Sequence, residues 1–71
     1  MTELRLTVNG DPVRVGAGCT VADLVSATLG RAEPRGVAVA VDRCVIPRSE
    51  WASTLVTAGA HIEVVTAAAG G

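Results

Sequence analysis

A chain of 71 residues has room for one domain and one core, and a domain this small buries only about 60% of the surface that its unfolded form exposes. At 49% hydrophobic and 18% charged it is too apolar for disorder, while a net charge of −1, scattered arginines and a lone aromatic, Trp51, exclude the basic stripe and stacking platform of a nucleic-acid binder. No apolar run approaches the roughly 20 residues of a membrane span, and Met1 to Gly10 alternates in polarity rather than forming a signal-peptide core, so no membrane association and a cytoplasmic location are expected.

Leu4, Leu6 and Val8 alternate with Glu3, Arg5 and Thr7, the period of two that marks a strand buried on one face. Asn9-Gly10 suits a type I′ turn, and Val13 and Val15 resume the alternation, so the chain opens on a β-hairpin with Pro12 near a strand start or on an edge. After Gly16 to Gly18, Thr20 precedes an apolar stripe of Val21, Leu24, Val25 and Leu29. Thr20 is the expected N-cap, Asp23 its capping-box partner, and Gly30 the left-handed stop of a helix of about ten residues.

A polar connection with Pro34 leads to Val37-Ala38-Val39-Ala40-Val41, a strand with neighbours on both sides and its valines toward the helix. Asp42-Arg43 makes a turn, and Cys44-Val45-Ile46 is a short strand stopped by Pro47. A single helical turn is expected over Ser49 to Ser53, capped by Ser49, with Trp51 packing a corner of the core. A glycine turn at Ala58-Gly59-Ala60 precedes the last strand, His61 to Thr66, with Ile62 and Val64 inward and Glu63 and Val65 outward. One helix between two sheet segments most simply lies across a sheet face, which gives a two-layer α+β domain with the first and last strands central and parallel.

Residues 1–66 form this domain, and 67–71, Ala67-Ala68-Ala69-Gly70-Gly71, form a flexible tail. Small side chains let such a tail thread a narrow cleft, and glycine permits backbone approach that a Cβ would block. Its carboxylate becomes an electrophile only when activated, for example as an acyl-adenylate made from ATP. Lysine is absent from the chain, so an activated terminus meets no side-chain amine in cis.

Catalysis by the chain itself is not expected, since one histidine, two separated cysteines and scattered carboxylates make no positioned constellation. Cys19, Cys44 and His61 also fall short of a structural zinc set, so both cysteines are read as free thiols, with no metal and no bound cofactor.

Val8-Asn9-Gly10, the runs Thr20 to Leu24 and Gly36 to Ala40, Val45-Ile46-Pro47-Arg48-Ser49-Glu50-Trp51-Ala52, and Gly59 to Val65 before Gly70-Gly71 together resemble the ThiS family of ubiquitin-like sulfur carriers. The resemblance implies a β-grasp fold, with a mixed four- to five-stranded sheet and one main helix across one face. It also implies that a ThiF/MoeB-type enzyme uses ATP to adenylate Gly71, that sulfur from a cysteine desulfurase replaces a carboxylate oxygen, and that the thiocarboxylate supplies the thiazole synthase ThiG. The chain would then be a co-substrate, monomeric in isolation. Gly70, Ala69, Ala68 and Ala67 would be read by the partner's cleft, and the open sheet face, with Arg5, Thr7, Ala38, Ala40, Glu63 and Val65, would dock the enzymes. His61 stands within one position of the acidic residue in the family's Gly-Asp-x-Ile-Glu turn, and Ala69 stands where a longer polar residue is common. The alternatives are a carrier for another pathway, like the small subunit of molybdopterin synthase, and a β-grasp binding module that is never activated.

Overall fold

The computed structural model describes residues 3–30 and 36–66. Among them the elements follow as β1 (Glu3–Val8), β2 (Asp11–Gly16), α1 (Val21–Leu29), β3 (Val37–Val41), β4 (Cys44–Ile46), a 3₁₀ segment (Arg48–Ser53) and β5 (His61–Thr66). The strands form one sheet in the order β2-β1-β5-β3-β4. β1 runs parallel to β5, and every other neighbouring pair is antiparallel. The first and last strands therefore lie side by side within the sheet, as the element order implied. The polar connection with Pro34 and the tail, including the flexibility expected of it, lie outside the described residues.

Local chemistry accounts for the first half. Asn9 and Gly10 both adopt positive φ, 52° and 85°, which turns β1 into β2 with the twist that a hairpin needs. Pro12 is the second residue of an edge strand, where its missing N–H costs no ladder bond. At the helix start the Thr20 hydroxyl accepts from the Asp23 N–H, and the Asp23 carboxylate accepts from the Thr20 N–H, each at 3.1 Å. Both halves of the capping box are present, and Asp23 also faces the positive end of the helix dipole. Gly30 closes the helix at φ 68°, its N–H donating to the Ser26 carbonyl at 2.7 Å.

The helix lays Val21, Leu24 and Val25 against Val39, Ile62 and Val64 of the sheet, all buried. Trp51 covers one margin of this core, with its indole N–H donating to the Ile46 carbonyl at 2.9 Å. Ser49 does not cap the turn that carries Trp51. The 3₁₀ segment begins at Arg48 with Pro47 in the N-cap position, and no side-chain cap forms. Pro47, at φ −59° and ψ 143°, starts the turn two residues earlier than the serine would have, and its carbonyl accepts from the Glu50 N–H at 2.8 Å. Ser49 thus falls inside the first turn, where its hydroxyl is past the N–H groups that a cap serves.

β5 is clamped from both sides by turns. The β3–β4 turn presents Asp42, whose carboxylate accepts from the His61 N–H at 2.9 Å and whose N–H donates to the His61 carbonyl at 2.8 Å. The β1–β2 turn presents Asn9, whose carboxamide accepts from the Val64 N–H at 2.9 Å and donates to the Val64 carbonyl at 3.1 Å. Residue pairing between β1 and β5 covers only Thr7 with His61 and Val8 with Ile62, so the Asn9 side chain continues the parallel ladder beyond the end of β1. Asn9→Gly keeps the left-handed backbone accessible but removes both bonds. It should cost about 1–3 kcal/mol in chemical denaturation and speed exchange of the Val64 amide. Unchanged stability and protection would show that the carboxamide carries no load.

Candidate functional site

One face of the sheet is covered by α1. The strand alternation places Arg5 and Thr7 of β1, His61, Glu63 and Val65 of β5, and Ala38 and Ala40 of β3 on the other. The six residues expected on this open face are all there: Arg5, Ala38, Glu63 and Val65 are exposed, and Thr7 and Ala40 are half-buried. Their neighbours follow from register, with Ala38 opposite Val65, Ala40 opposite Glu63, and Ala40 also opposite Val45 of β4.

Two subregions result. At the corner shared by β5, β3 and β4, Val65 and Val45 are 58% and 73% exposed, with Ala38 and Ala40 between them. Large exposed side chains flanking small ones make a shallow apolar saddle, the kind of patch that marks an interaction site when it is contiguous. Val45 was not singled out from the sequence. A three-residue strand is too short for alternation to say which way its middle residue points, and only the pairing with Ala40 places it.

The second subregion is polar and centres on His61. Its Nδ1 lies 3.1 Å from the Thr7 hydroxyl oxygen. His61 borders one open cleft with Asp42, Arg43 and Glu63, and another with Thr7, Asn9, Gly10 and Glu63. The cross-strand neighbour Thr7, two strand positions from Arg5, could be inferred only once β1 and β5 were known to be parallel and in this register.

Among the described residues no group of three or more His, Cys, Asp or Glu side chains is placed to hold a metal ion. Both cysteines are free: Cys44 is exposed on β4, and Cys19 is half-buried before the helix. Partial burial, reinforced by the nearby Asp23 carboxylate, pushes the Cys19 thiol above its ordinary pKa, so at neutral pH it is a protonated and poor nucleophile. Among the described residues no helix is long and apolar enough to cross a membrane. The tail positions Ala67, Ala68, Ala69, Gly70 and Gly71 lie outside the described residues, and the last described residue, Thr66, ends the central strand β5.

A mixed five-stranded sheet with parallel β1 and β5 and one helix across a single face defines a β-grasp domain. The ThiS family model matches residues 2–71, and the chain belongs to that family, the small sulfur carrier proteins of thiamine biosynthesis. Among solved structures, the thiamine biosynthesis protein ThiS from Geobacter metallireducens is similar, with 27% identity and a TM-score of 0.69, over 96% of this chain and 100% of that one. No curated protein matches the chain.

Proposed function

We propose that this protein is the thiocarboxylate sulfur donor for thiazole formation. A carboxylate oxygen of Gly71 attacks the α-phosphate of ATP on a ThiF/MoeB-type enzyme and releases pyrophosphate. The terminal sulfur of a cysteine persulfide, formed by a cysteine desulfurase, then adds to the acyl carbon and AMP leaves. A thiol reductant cleaves the resulting acyl disulfide by forming a disulfide with the persulfide's cysteine, which leaves the outer sulfur on Gly71. The resulting Gly71 thiocarboxylate carries its polarizable sulfur to the thiazole synthase ThiG, so that no free sulfide is released. The observation that carries this reading is the family match over residues 2–71, which includes the Gly70-Gly71 ending.

The fold supports the reading in a physical way. A carrier must present a reactive end at a reproducible distance from its docking face, and the strand that leads into this tail is the one clamped by Asp42 and Asn9. Five extended residues reach about 17 Å, enough to enter an enzyme cleft while the body stays outside. The apolar saddle of Val65, Ala38, Ala40 and Val45 adjoins the point where β5 ends, and it is the surface we assign to the enzymes.

Intact mass spectrometry tests the proposal. After incubation with ATP, cysteine, a cysteine desulfurase, a thiol reductant and the cognate adenylating enzyme, the protein should gain the mass of one oxygen-for-sulfur exchange. No adenylate and no sulfur gain, with an enzyme shown to be active on another carrier, would leave a binding module instead.

A further inference from the structure

The register that closes the first hairpin sets Arg5 directly opposite Arg14. Both side chains are exposed on the open face, and with Pro12 and Val13 they border a single cleft. Like charges directly opposite one another weaken a strand pair, so the fold itself gains nothing from this placement. Glu3, opposite Gly16 at the same end of β1, brings one carboxylate to a corner that holds two guanidiniums. The corner keeps an excess of positive charge, and the guanidinium fork is the side chain best shaped to take a carboxylate through two parallel hydrogen bonds.

We propose that the Arg5–Arg14 corner docks an acidic patch on the adenylating enzyme, so that the open face engages its partner at two points: an apolar one at Val65 and Val45, and a basic one here. The proposal rests on the carrier reading above. Thr7 pairs with His61, so Arg5 and Val65 are six residues apart along parallel strands, about 20 Å. A standard interface covers about 800 Å² on each partner, about 28 Å across, so one footprint takes in both corners. Two exposed valines and the alanines between them fill only part of such a footprint. The division of labour also suits a carrier, which must bind one enzyme quickly, release and then find another: charges at an interface margin raise the rate of encounter without slowing departure.

Association kinetics of the full chain with the cognate adenylating enzyme, measured at low and at moderate salt, provide the test. The double variant Arg5→Gln/Arg14→Gln should associate about three- to tenfold more slowly at low salt, with a dissociation rate within about twofold of the original. Added salt should bring the unsubstituted protein toward the variant. Arg5→Lys/Arg14→Lys should keep most of the association rate. The thermal midpoint of the glutamine variant should stay the same or rise, because the opposed charges are gone, whereas a structural role for the arginines would lower it. An unchanged association rate and salt dependence in the glutamine variant would overturn the acidic-patch proposal alone. So would saturable shifts of the arginine Nε–H resonances on adding inorganic phosphate, with enzyme association unaffected by either substitution, since the corner would then be a small-anion site. Failure of the unsubstituted protein to associate with the enzyme at all would overturn the carrier reading together with this one.

Discussion

Deletion of Gly71, or addition of one residue after it, should abolish thiocarboxylate formation while leaving the folding transition where it is. The chemistry concerns one carbon atom, and changing the tail by one residue moves the terminal carboxylate by about 3.3–3.6 Å along an extended chain. Misplacing a reacting group by about 1 Å already costs on the order of a hundredfold in rate, so a loss well beyond that is expected, below ordinary detection. The fold should not respond, because Gly71 lies five residues beyond Thr66, the last residue of β5. Mass spectrometry for the sulfur product and a denaturation curve for the fold measure the two effects separately. An extended variant that still gains sulfur at the original rate would remove the terminal carboxylate from the mechanism. A variant that loses the product but still associates with the adenylating enzyme would separate activation from docking, the outcome the proposed mechanism requires.

The largest effect on stability is expected at Leu24. It lies at the middle of the helix stripe between Val21 and Val25 and is 2% exposed, facing the sheet. Leu24→Ala removes buried methyl groups and leaves a cavity, a combination that costs about 2–5 kcal/mol. Typical stabilities of about 0.05–0.15 kcal/mol per residue give about 4–11 kcal/mol for a chain of this length, so one substitution would remove a large share of the total. Leu55 provides the contrast within the same protein: it is the same residue type, but it is 61% exposed beside the start of the helix, and its truncation should stay within about 0.5 kcal/mol. Equal shifts in urea midpoint for Leu24→Ala and Leu55→Ala would mean that the helix does not carry the core as described.

The two substitutions probe different things, and the difference follows from the architecture. The helix, Trp51 and the inner face of the sheet hold the body together, whereas the open-face positions of the strands contribute little to holding it. Their residues are free to be selected for what they touch. This is consistent with an exposed valine pair and an opposed arginine pair surviving on a surface where neither helps folding.

Features governed by neighbours in the chain were legible in the sequence. Asn9-Gly10 demanded positive φ, Thr20 and Asp23 were spaced to satisfy each other's N–H groups, Gly30 could stop a helix, and alternation separated the inward Ile62 and Val64 from the outward Glu63 and Val65. Each depends on φ/ψ preference, on hydrogen bonding within a few residues, or on a period of two. The small-residue ending is likewise a property of the sequence alone. Ser49 shows where such reasoning stops: the residue type suits a cap, but Pro47 fixed the turn's start, and the serine fell inside it.

Contacts between residues far apart in the chain required the assembled sheet to be seen. Asn9 and Val64 are 55 positions apart, and Asp42 and His61 are 19 apart, yet these pairs hold the strand from which the tail leaves. Thr7 meets His61 across 54 positions, and Val45 joins Val65 on one surface through the alanines of β3. Even Arg5 and Arg14, nine residues apart, become opposed only because the turn closes in one register rather than the next, which would have sent every side chain of the strand to the other face. Short-range preferences along the chain specify the elements and their inward faces. The register of the sheet, fixed by burying Ile62, Val39 and Leu24 together, decided which exposed side chains stand beside one another, because a strand's own residues do not specify its neighbours until the core chooses the pairing.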